Sequence, residues 1–306
     1  MAGYNFLRES SVHIVHGGSR YQLKTTPNVT VSQTFSEEAY EVKTLHDQSK
    51  MFKGAKVTTA NPADFTFEVH LTSEKDESIV LDLLTDYDTS QTDKVLKTFD
   101  MYLVTSKTTF KMEGCIMTEG NFELGLGSVV TLAVSGQGQK LSRVGDQNFS
   151  LPGSLVAASS TRTPHLAILD VELDGTDVAN LISSTLSVQN NIEWTPYEDV
   201  HSSLNVTNAT NTMYPKKHTI SERIVSGSIS QYLTDNSDTV AELLTWEESG
   251  TNIRVKTLKP DGSVLLDANL DSCLFTNRLD TGEALTASYD FRLVSNPSDL
   301  GTIITY

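Results

Sequence analysis

Phe65-Thr66-Phe67-Glu68-Val69-His70-Leu71 sets an apolar side chain at every second position. An extended strand, whose side chains alternate between two faces, turns that spacing into one dry surface and one wet one. The same reading carries outward along the chain. Thirty-seven threonines and many valines favour strands, because β-branched side chains fit a pleated, half-buried surface. Ile220, Val225 and Ile229 stand among Ser and Gly in a later stretch of the same kind. Ile253-Arg254-Val255-Lys256-Thr257-Leu258, then Lys259-Pro260-Asp261-Gly262-Ser263, then Val264-Leu265-Leu266-Asp267 predicts a β-hairpin with Pro and Asp-Gly supplying the turn. Residues 99–104 and 109–112 predict an earlier hairpin of the same sort. Short helices are expected only at residues 79–84, after Asp76-Glu77-Ser78, and at residues 239–244, after Asn236-Ser237-Asp238. Acids in a first helical turn suit the dipole. Gly125, Gly127, Gly136 and Gly138 read as turns at strand ends.

Laid against itself at an offset of 157–160 residues, the chain matches in one order from end to end. Val12-x-Ile14 meets Leu169-x-Val171, Val29-x-Val31 meets Leu186-x-Val188, and Tyr40-Glu41 meets Tyr197-Glu198. Residues 79–85 meet residues 239–245, each preceded by a Leu-Thr pair (Leu71-Thr72 and Leu233-Thr234, 162 apart), and Cys115 meets Cys273. Two domains of one fold are expected, 1–152 and 153–306. The Ser/Thr/Ala-rich residues 151–164, bracketed by Pro152 and Pro164, read as their linker. The fold class is mainly β: two tandem copies of a β-sandwich or curled sheet, each with one short α-helix. Each copy also holds a long polar segment without clean periodicity, residues 36–60 and residues 193–217. Segments of that length inside a compact domain serve function or interfaces.

Composition excludes several classes of function. The 306 residues carry 39 acidic and 23 basic side chains, a net charge of −16, which argues against a basic duplex-binding face. The copies differ in charge, with 14 basic and 19 acidic residues in 1–152 (−5) and 9 and 20 in 153–306 (−11). Two cysteines give neither a disulfide framework nor a zinc set and fit a reducing site of synthesis. Cys115 and Cys273 read as buried fillers. No apolar run is long enough for a signal peptide or a membrane span. Asp170-Val171-Glu172-Leu173-Asp174-Gly175 begins like an EF-hand loop, but Glu stands third and Leu181 twelfth, so a strand ending in an Asp-Gly turn is the better reading. His13 and His16 stand on a strand-like stretch, and Asp82, Asp86, Asp88 and Asp93 read as a solvated helix face. HExxH, GxSxG and P-loop patterns are all missing. No catalytic residue, metal or cofactor is expected.

A strand, a long segment, further strands, one short helix, a hairpin and closing strands, present twice, resemble the major tail tube protein of long-tailed, non-contractile bacteriophages with a duplicated tube domain. The resemblance covers nearly the whole chain and rests on the order of elements. It implies a structural virion protein of the tail, synthesised in the host cytoplasm, with no enzymatic activity. It further implies homotrimeric rings with six pseudo-equivalent domains, stacked into a tube. Other tail proteins would meet the tube ends, and viral DNA would pass through the lumen without specific binding. On that reading Tyr40, Glu41, Lys43, His46, Lys50, Lys53, Trp194, Tyr197, Glu198, His201 and Tyr214, in the two long segments, carry the contact between rings. The alternative is a tandem β-sandwich binding module, a phage adhesin or carbohydrate-binding protein. It needs clustered exposed aromatics, for which Trp194, Tyr197 and Tyr214 qualify, with Tyr40 alone in the first segment.

Overall fold

The computed structural model describes residues 10–42, 52–90, 95–125, 127–161, 164, 168–194, 214–233, 250–281, 284–294, 300–301 and 303–306. The chain is mainly β. The elements of the first half are β1 (Ser11–His16), β2 (Ser19–Leu23), β3 (Thr30–Ser32), β4 (Phe35–Val42), β5 (Phe52–Ala60), β6 (Ala63–His70), α1 (Ser78–Thr85), β7 (Phe99–Val104), β8 (Thr109–Gly125), β9 (Thr131–Gly138) and β10 (Lys140–Gly145). Next come β11 (Ser154–Leu155), β12 (Ile168–Leu173), β13 (Thr176–Asp177), β14 (Leu181–Trp194), β15 (His218–Tyr232), β16 (Thr251–Leu258), β17 (Val264–Thr281), β18 (Leu285–Leu293) and β19 (Ile304–Thr305).

In the first half β2, β1, β7, β8 and β10 pair in that order, while β3, β6, β9 and the far end of β8 form a second layer. The long strand β8 belongs to both, so the sheet curls back on itself and encloses its core. Ile14, Phe65, Phe67, Val69, Met101, Met112, Phe122 and Leu132 fill that core with the buried face of α1, through Val80, Leu83 and Leu84. The alternation read at residues 65–71 is realised in β6, where Phe65, Phe67 and Val69 point inward. In the second half β17 plays the part of β8, pairing with β16 and β19 at one end and with β18 at the other. Both predicted hairpins form, as β7–β8 and β16–β17.

Cross-strand partners recur at fixed spacing. Thr30↔Thr66, Ser32↔Asp64 and Phe35↔Ala60 in the first half meet Ser187↔Ser226, Gln189↔Ile224 and Ile192↔Ile220 in the second, offset by 157 residues on one strand and 160 on the other.

Four expectations change. Residues 36–60 are not a structureless segment: β4 and β5 form an antiparallel hairpin from Phe35↔Ala60 to Val42↔Phe52, a two-stranded sheet of its own. Among the described residues this hairpin pairs with no strand of the main sheet, so no neighbouring strand imposes a period of two on its sequence. Residues 151–161 are a strap rather than a free linker. β11 adds in parallel to β2, the Arg20 guanidinium donates to the Leu151 carbonyl (2.8 Å), and Ser159 donates from its backbone N–H to the Asp76 carboxylate (3.0 Å). The open edge of β2 offers backbone partners that a Ser/Ala-rich stretch satisfies without side-chain specificity. Glu77 precedes α1 and does not cap it through its side chain. Its buried carboxylate instead accepts from the Thr72 hydroxyl (2.8 Å) beside Tyr306. Finally, Gly136 lies inside β9, packed under Phe65, while Gly138 is the last residue of that strand. The helix expected at residues 239–244 lies outside the described residues.

Candidate assembly surfaces

The two halves meet along one antiparallel seam. Residues 119–125 of β8 pair with residues 183–189 of β14, from Glu119↔Gln189 to Gly125↔Ser183. Phe122 lies opposite Leu186, and burial of both, with Leu124 and Val188, is the apolar gain that holds the seam shut. The outcome is one sheet of eight antiparallel strands, β3–β6–β9–β8–β14–β15–β18–β17.

The face of this sheet away from the core is polar in continuous rungs. One runs Glu68, Ala133, Asn121, Ser187, Ser226, Arg292 and ends at the edge on the exposed Leu274, and the next runs His70, Thr131, Glu123, Thr185, Ser228, Asp290, Thr276. Hydroxyls pair across strands, Thr30 with Thr66 at 2.6 Å and Thr185 with Ser228 at 2.7 Å. Charge on this face is mostly negative: Asp64, Glu68, Glu119, Glu123, Glu222 and Asp290 against Arg278 and Arg292, with Arg292 paired to Glu222 at 3.0 Å.

Below the seam a buried polar lock joins the halves. Arg223 of β15 donates from Nε to the Asn190 side-chain oxygen (2.7 Å) and from Nη1 to the Thr85 carbonyl at the end of α1 (3.0 Å), with its guanidinium 4.3 Å from the centre of the Tyr87 ring. The Asn190 amide in turn donates to the carbonyls of Leu84 (3.1 Å) and Met117 (3.2 Å). The last carbonyls of a helix have no partner within it, and here the second half supplies the donors. A cation at that end also suits the dipole. Neither Arg223 nor Asn190 stands out in the sequence, since their partners in the first half lie more than 70 residues away.

Each end of the eight-stranded sheet is an edge. Among the described residues β3 pairs only with β6, and β17 from Leu274 onward pairs only with β18. The arm formed by β4 and β5 continues from the β3 edge, with Phe35 at its base 48% exposed. Tyr40 and Glu41 stand on β4 and Lys53 on β5, while Lys43, His46 and Lys50 lie outside the described residues. In the second half β14 and β15 stay paired as far as Trp194↔His218, so residues 195–217 connect neighbouring strand ends. Tyr197, Glu198 and His201 lie outside the described residues. Trp194 and Tyr214 are turned onto the first half: the Trp194 indole donates to Gln137 (2.8 Å), and Lys140 stands 5.0 Å over the Tyr214 ring. Two of the aromatics that a sugar-binding surface would display, Trp194 and Tyr214, are thus engaged within the chain.

Carboxylate oxygens of Asp170, Glu172 and Asp177 lie within 4.8 Å of one another. Lys256 already supplies the counter-charge, bonding Asp170 at 2.8 Å and Glu172 as well, and hydrogen bonds to these two carboxylates raise its pKa. Asp170 and Glu172 on β12 thus form an ion-pair network with Lys256 on β16, beside Asp177 of β13. Cys115 and Cys273 are buried, and desolvation drives both thiols up, Cys273 to about 12, so neither is a ready thiolate. No helix among the described residues is long and apolar enough to cross a membrane.

The comparison with curated proteins returns no match. A family model described as the Bacteriophage Baseplate Tube Protein Family matches residues 2–306. The expected kinship with phage tail structures is thereby upheld in its broad form, a component of the virion tail, while the specific likeness to the major tail tube of long non-contractile tails is replaced by one to the baseplate tube. With almost the whole chain inside the match, the protein belongs to the bacteriophage baseplate tube protein family.

Proposed function

We propose that the protein is a ring-forming subunit of the tube at the phage baseplate, and that three copies close a channel for DNA. The β8–β14 seam carries this reading. It joins two four-stranded units, β3–β6–β9–β8 and β14–β15–β18–β17, whose cross-strand partners recur at offsets of 157 and 160. That recurrence supports reading the chain as a duplication, 1–152 and 153–306, with a pseudo-equivalent junction already made once inside each subunit. Repeating the junction between subunits gives a head-to-tail assembly that is complete only when it closes, and closure removes both sheet edges. Six units in three chains would form the ring.

In that ring the polar rungs face the channel. Three chains at −16 total −48. Carboxylates at Asp64, Glu68, Glu119, Glu123 and Asp290 repel phosphates, so DNA slides past hydroxyls and amides without sticking. The β4–β5 arm and residues 195–217 carry the axial contact to the adjoining ring or to another tail protein. No reaction is assigned to any residue.

Native mass measurement and negative-stain microscopy test the ring. Three chains around an open bore are expected; six chains would contradict the pseudo-hexamer argument, and monomers at all concentrations would remove the ring altogether. Deleting residues 43–53 should leave a soluble protein with an unchanged thermal transition that forms rings but does not stack. Normal stacking of the deletion variant would transfer the axial role elsewhere.

A further inference from the structure

The apolar side of the seam has a counterpart with no partner. Phe122 of β8, opposite Leu186 of β14, is 1% exposed. The pairings of β8 with β9 and of β17 with β18 put Leu279 in Phe122's place, since Phe122↔Leu132 and Met117↔Gly136 correspond to Leu279↔Ala287 and Phe275↔Phe291. Leu279 is 59% exposed. At the opposite edge of the sheet Val29 takes the place of Leu186, 157 positions earlier, and borders an open groove of about 280 Å³ lined by Val12, Thr25, Thr26, Pro27, Val29 and Leu103. One edge thus presents an apolar knob and the other a groove in which Val12, Val29 and Leu103 lie among Ser10 and threonines, at corresponding positions of a junction that the chain has already closed once.

Strand direction and edge pairing agree. Eight strands alternate in sense, so the β17 edge of one copy meets the β3 edge of the next antiparallel, as β8 meets β14. Both edges are free to join: among the described residues β3 bonds only to β6, and β17 beyond Leu274 only to β18.

We propose that Leu279 of one copy seats in the groove beside Val29 of a second copy, in the antiparallel register Leu279 opposite Val29, Arg278 opposite Thr30 and Thr276 opposite Ser32. These pairs repeat Phe122↔Leu186, Asn121↔Ser187 and Glu119↔Gln189 of the internal seam. The occupant of the groove is a second copy of this chain, and the assignment rests on the ring reading above while fixing what that reading leaves open, the register and the anchor. A shift of one residue would turn Leu279 toward the polar face, and a shift of two would leave the groove empty.

Cysteine pairs in the full chain read the register directly, because directly opposed strand residues fall within disulfide reach and those two positions out of step do not. The variant carrying both Thr30→Cys and Arg278→Cys should give covalent dimers and trimers on oxidation, and the variant with Ser32→Cys and Arg278→Cys should give none. Cross-linking of the second pair in place of the first, in rings of unchanged mass, would overturn the register and the Leu279 seat while leaving the ring intact; chains that never associate would overturn both. Leu279→Asp should weaken ring assembly at least tenfold with no change in the monomer's far-ultraviolet spectrum or thermal transition, and Leu279→Phe, which restores the residue type of the internal seam, should assemble. Rings of Leu279→Asp at wild-type concentrations would overturn the anchor.

Discussion

β14 and β15 stay paired, with two bulges, from Leu181↔Gln231 to Trp194↔His218, whereas the corresponding hairpin of the first half is cut in two. There β3 and β6 remain in the main sheet while β4 and β5 depart as an arm. The cut falls at Gln33-Thr34 and Asn61-Pro62. Pro62 has no N–H to give a ladder and restricts Asn61 to extended backbone. Side chains take over the bonding: Gln33 donates to the carbonyls of Asn61 (3.0 Å) and Gln139 (3.1 Å) and accepts from the Leu141 N–H (2.9 Å), while the Asn61 amide donates to the Thr34 hydroxyl (2.8 Å). The second half places Asn190 at the position of Gln33, 157 residues on, and uses it with Arg223 to hold α1 across the seam. Polar side chains 157 residues apart thus make an elbow in one half and a lock between halves in the other.

The largest effect should come from the lock. Arg223→Met keeps the length and loses the donors, leaving the Asn190 oxygen and the Thr85 carbonyl buried without their partner, at a cost of roughly 3 kcal/mol. Thermal unfolding should start several degrees earlier, with α1 and the seam losing amide-exchange protection first. A transition equal to wild type would mean that the halves are held by the apolar seam alone. Gln33→Ala, at the equivalent position, should cost only about 1 kcal/mol, because water can reach a part-exposed elbow. If both substitutions cost the same, the contrast between elbow and lock fails.

Buried glycines test whether the two halves pack alike. A Cβ on Gly136 would stand 2.2 Å from Phe65 Cζ and 2.3 Å from the Ile116 carbonyl oxygen; on Gly227 it would stand 2.4 Å from Phe291 Cζ and 2.1 Å from the Thr185 carbonyl oxygen. In each half a Phe ring covers a glycine directly opposite, but with the strands exchanged: Phe65 lies on β6 over Gly136 on β9, and Phe291 on β18 over Gly227 on β15. Gly136→Ala and Gly227→Ala should each destabilise by roughly 2 kcal/mol, since a ring can shift and a ladder carbonyl cannot. Chemical denaturation of the two variants measures this, and a neutral Gly136→Ala would return that residue to the role of a spacer.

These glycines show where the sequence is silent. Alternation at residues 65–71 and the Pro-Asp-Gly turn at residues 260–262 are local, so strand and hairpin can be read from neighbouring residues. Gly136 is a strand residue because of Phe65, 71 positions earlier, and nothing near it in the chain says so. The seam is hidden for the same reason: Phe122 and Leu186 look like ordinary core residues until β8 and β14 are paired. Residues 36–60 read as featureless because, among the described residues, the arm pairs with no strand of the main sheet, and residues 151–161 because backbone edges, not side chains, tie them down. Of the surface residues singled out, Trp194 and Tyr214 are legible as aromatics, but the first-half residues that take them up, Gln137 and Lys140, are not.

The smallest expected effect compares one rung of the repeat under acid and under base. His13↔Tyr102 in the first half corresponds to Asp170↔Lys256 in the second. Burial, and then the charge of Arg20, lowers the pKa of His13 from 6.5 to about 4. The fold therefore prefers the neutral imidazole; its contribution is complete above pH 6.5 and is lost as pH falls through about 4. Lys256 has the opposite sign. Its pKa is raised by hydrogen bonds to Asp170 and Glu172, so its contribution is complete below the ordinary lysine value and is lost as pH rises through the elevated one. His13→Gln should consequently flatten the fall in Tm between pH 6.5 and 4 relative to wild type and leave the alkaline limb alone. Lys256→Met should lower Tm by a degree or two at pH 7 and converge with wild type only once pH has risen past the elevated lysine value, since a part-exposed pair is worth about 1 kcal/mol or less. Melting curves of the three proteins over pH 4–12 separate the two rungs because every other titrating group cancels in the differences. Parallel acid limbs for wild type and His13→Gln would show that the first half's acid weakness lies elsewhere than at this rung.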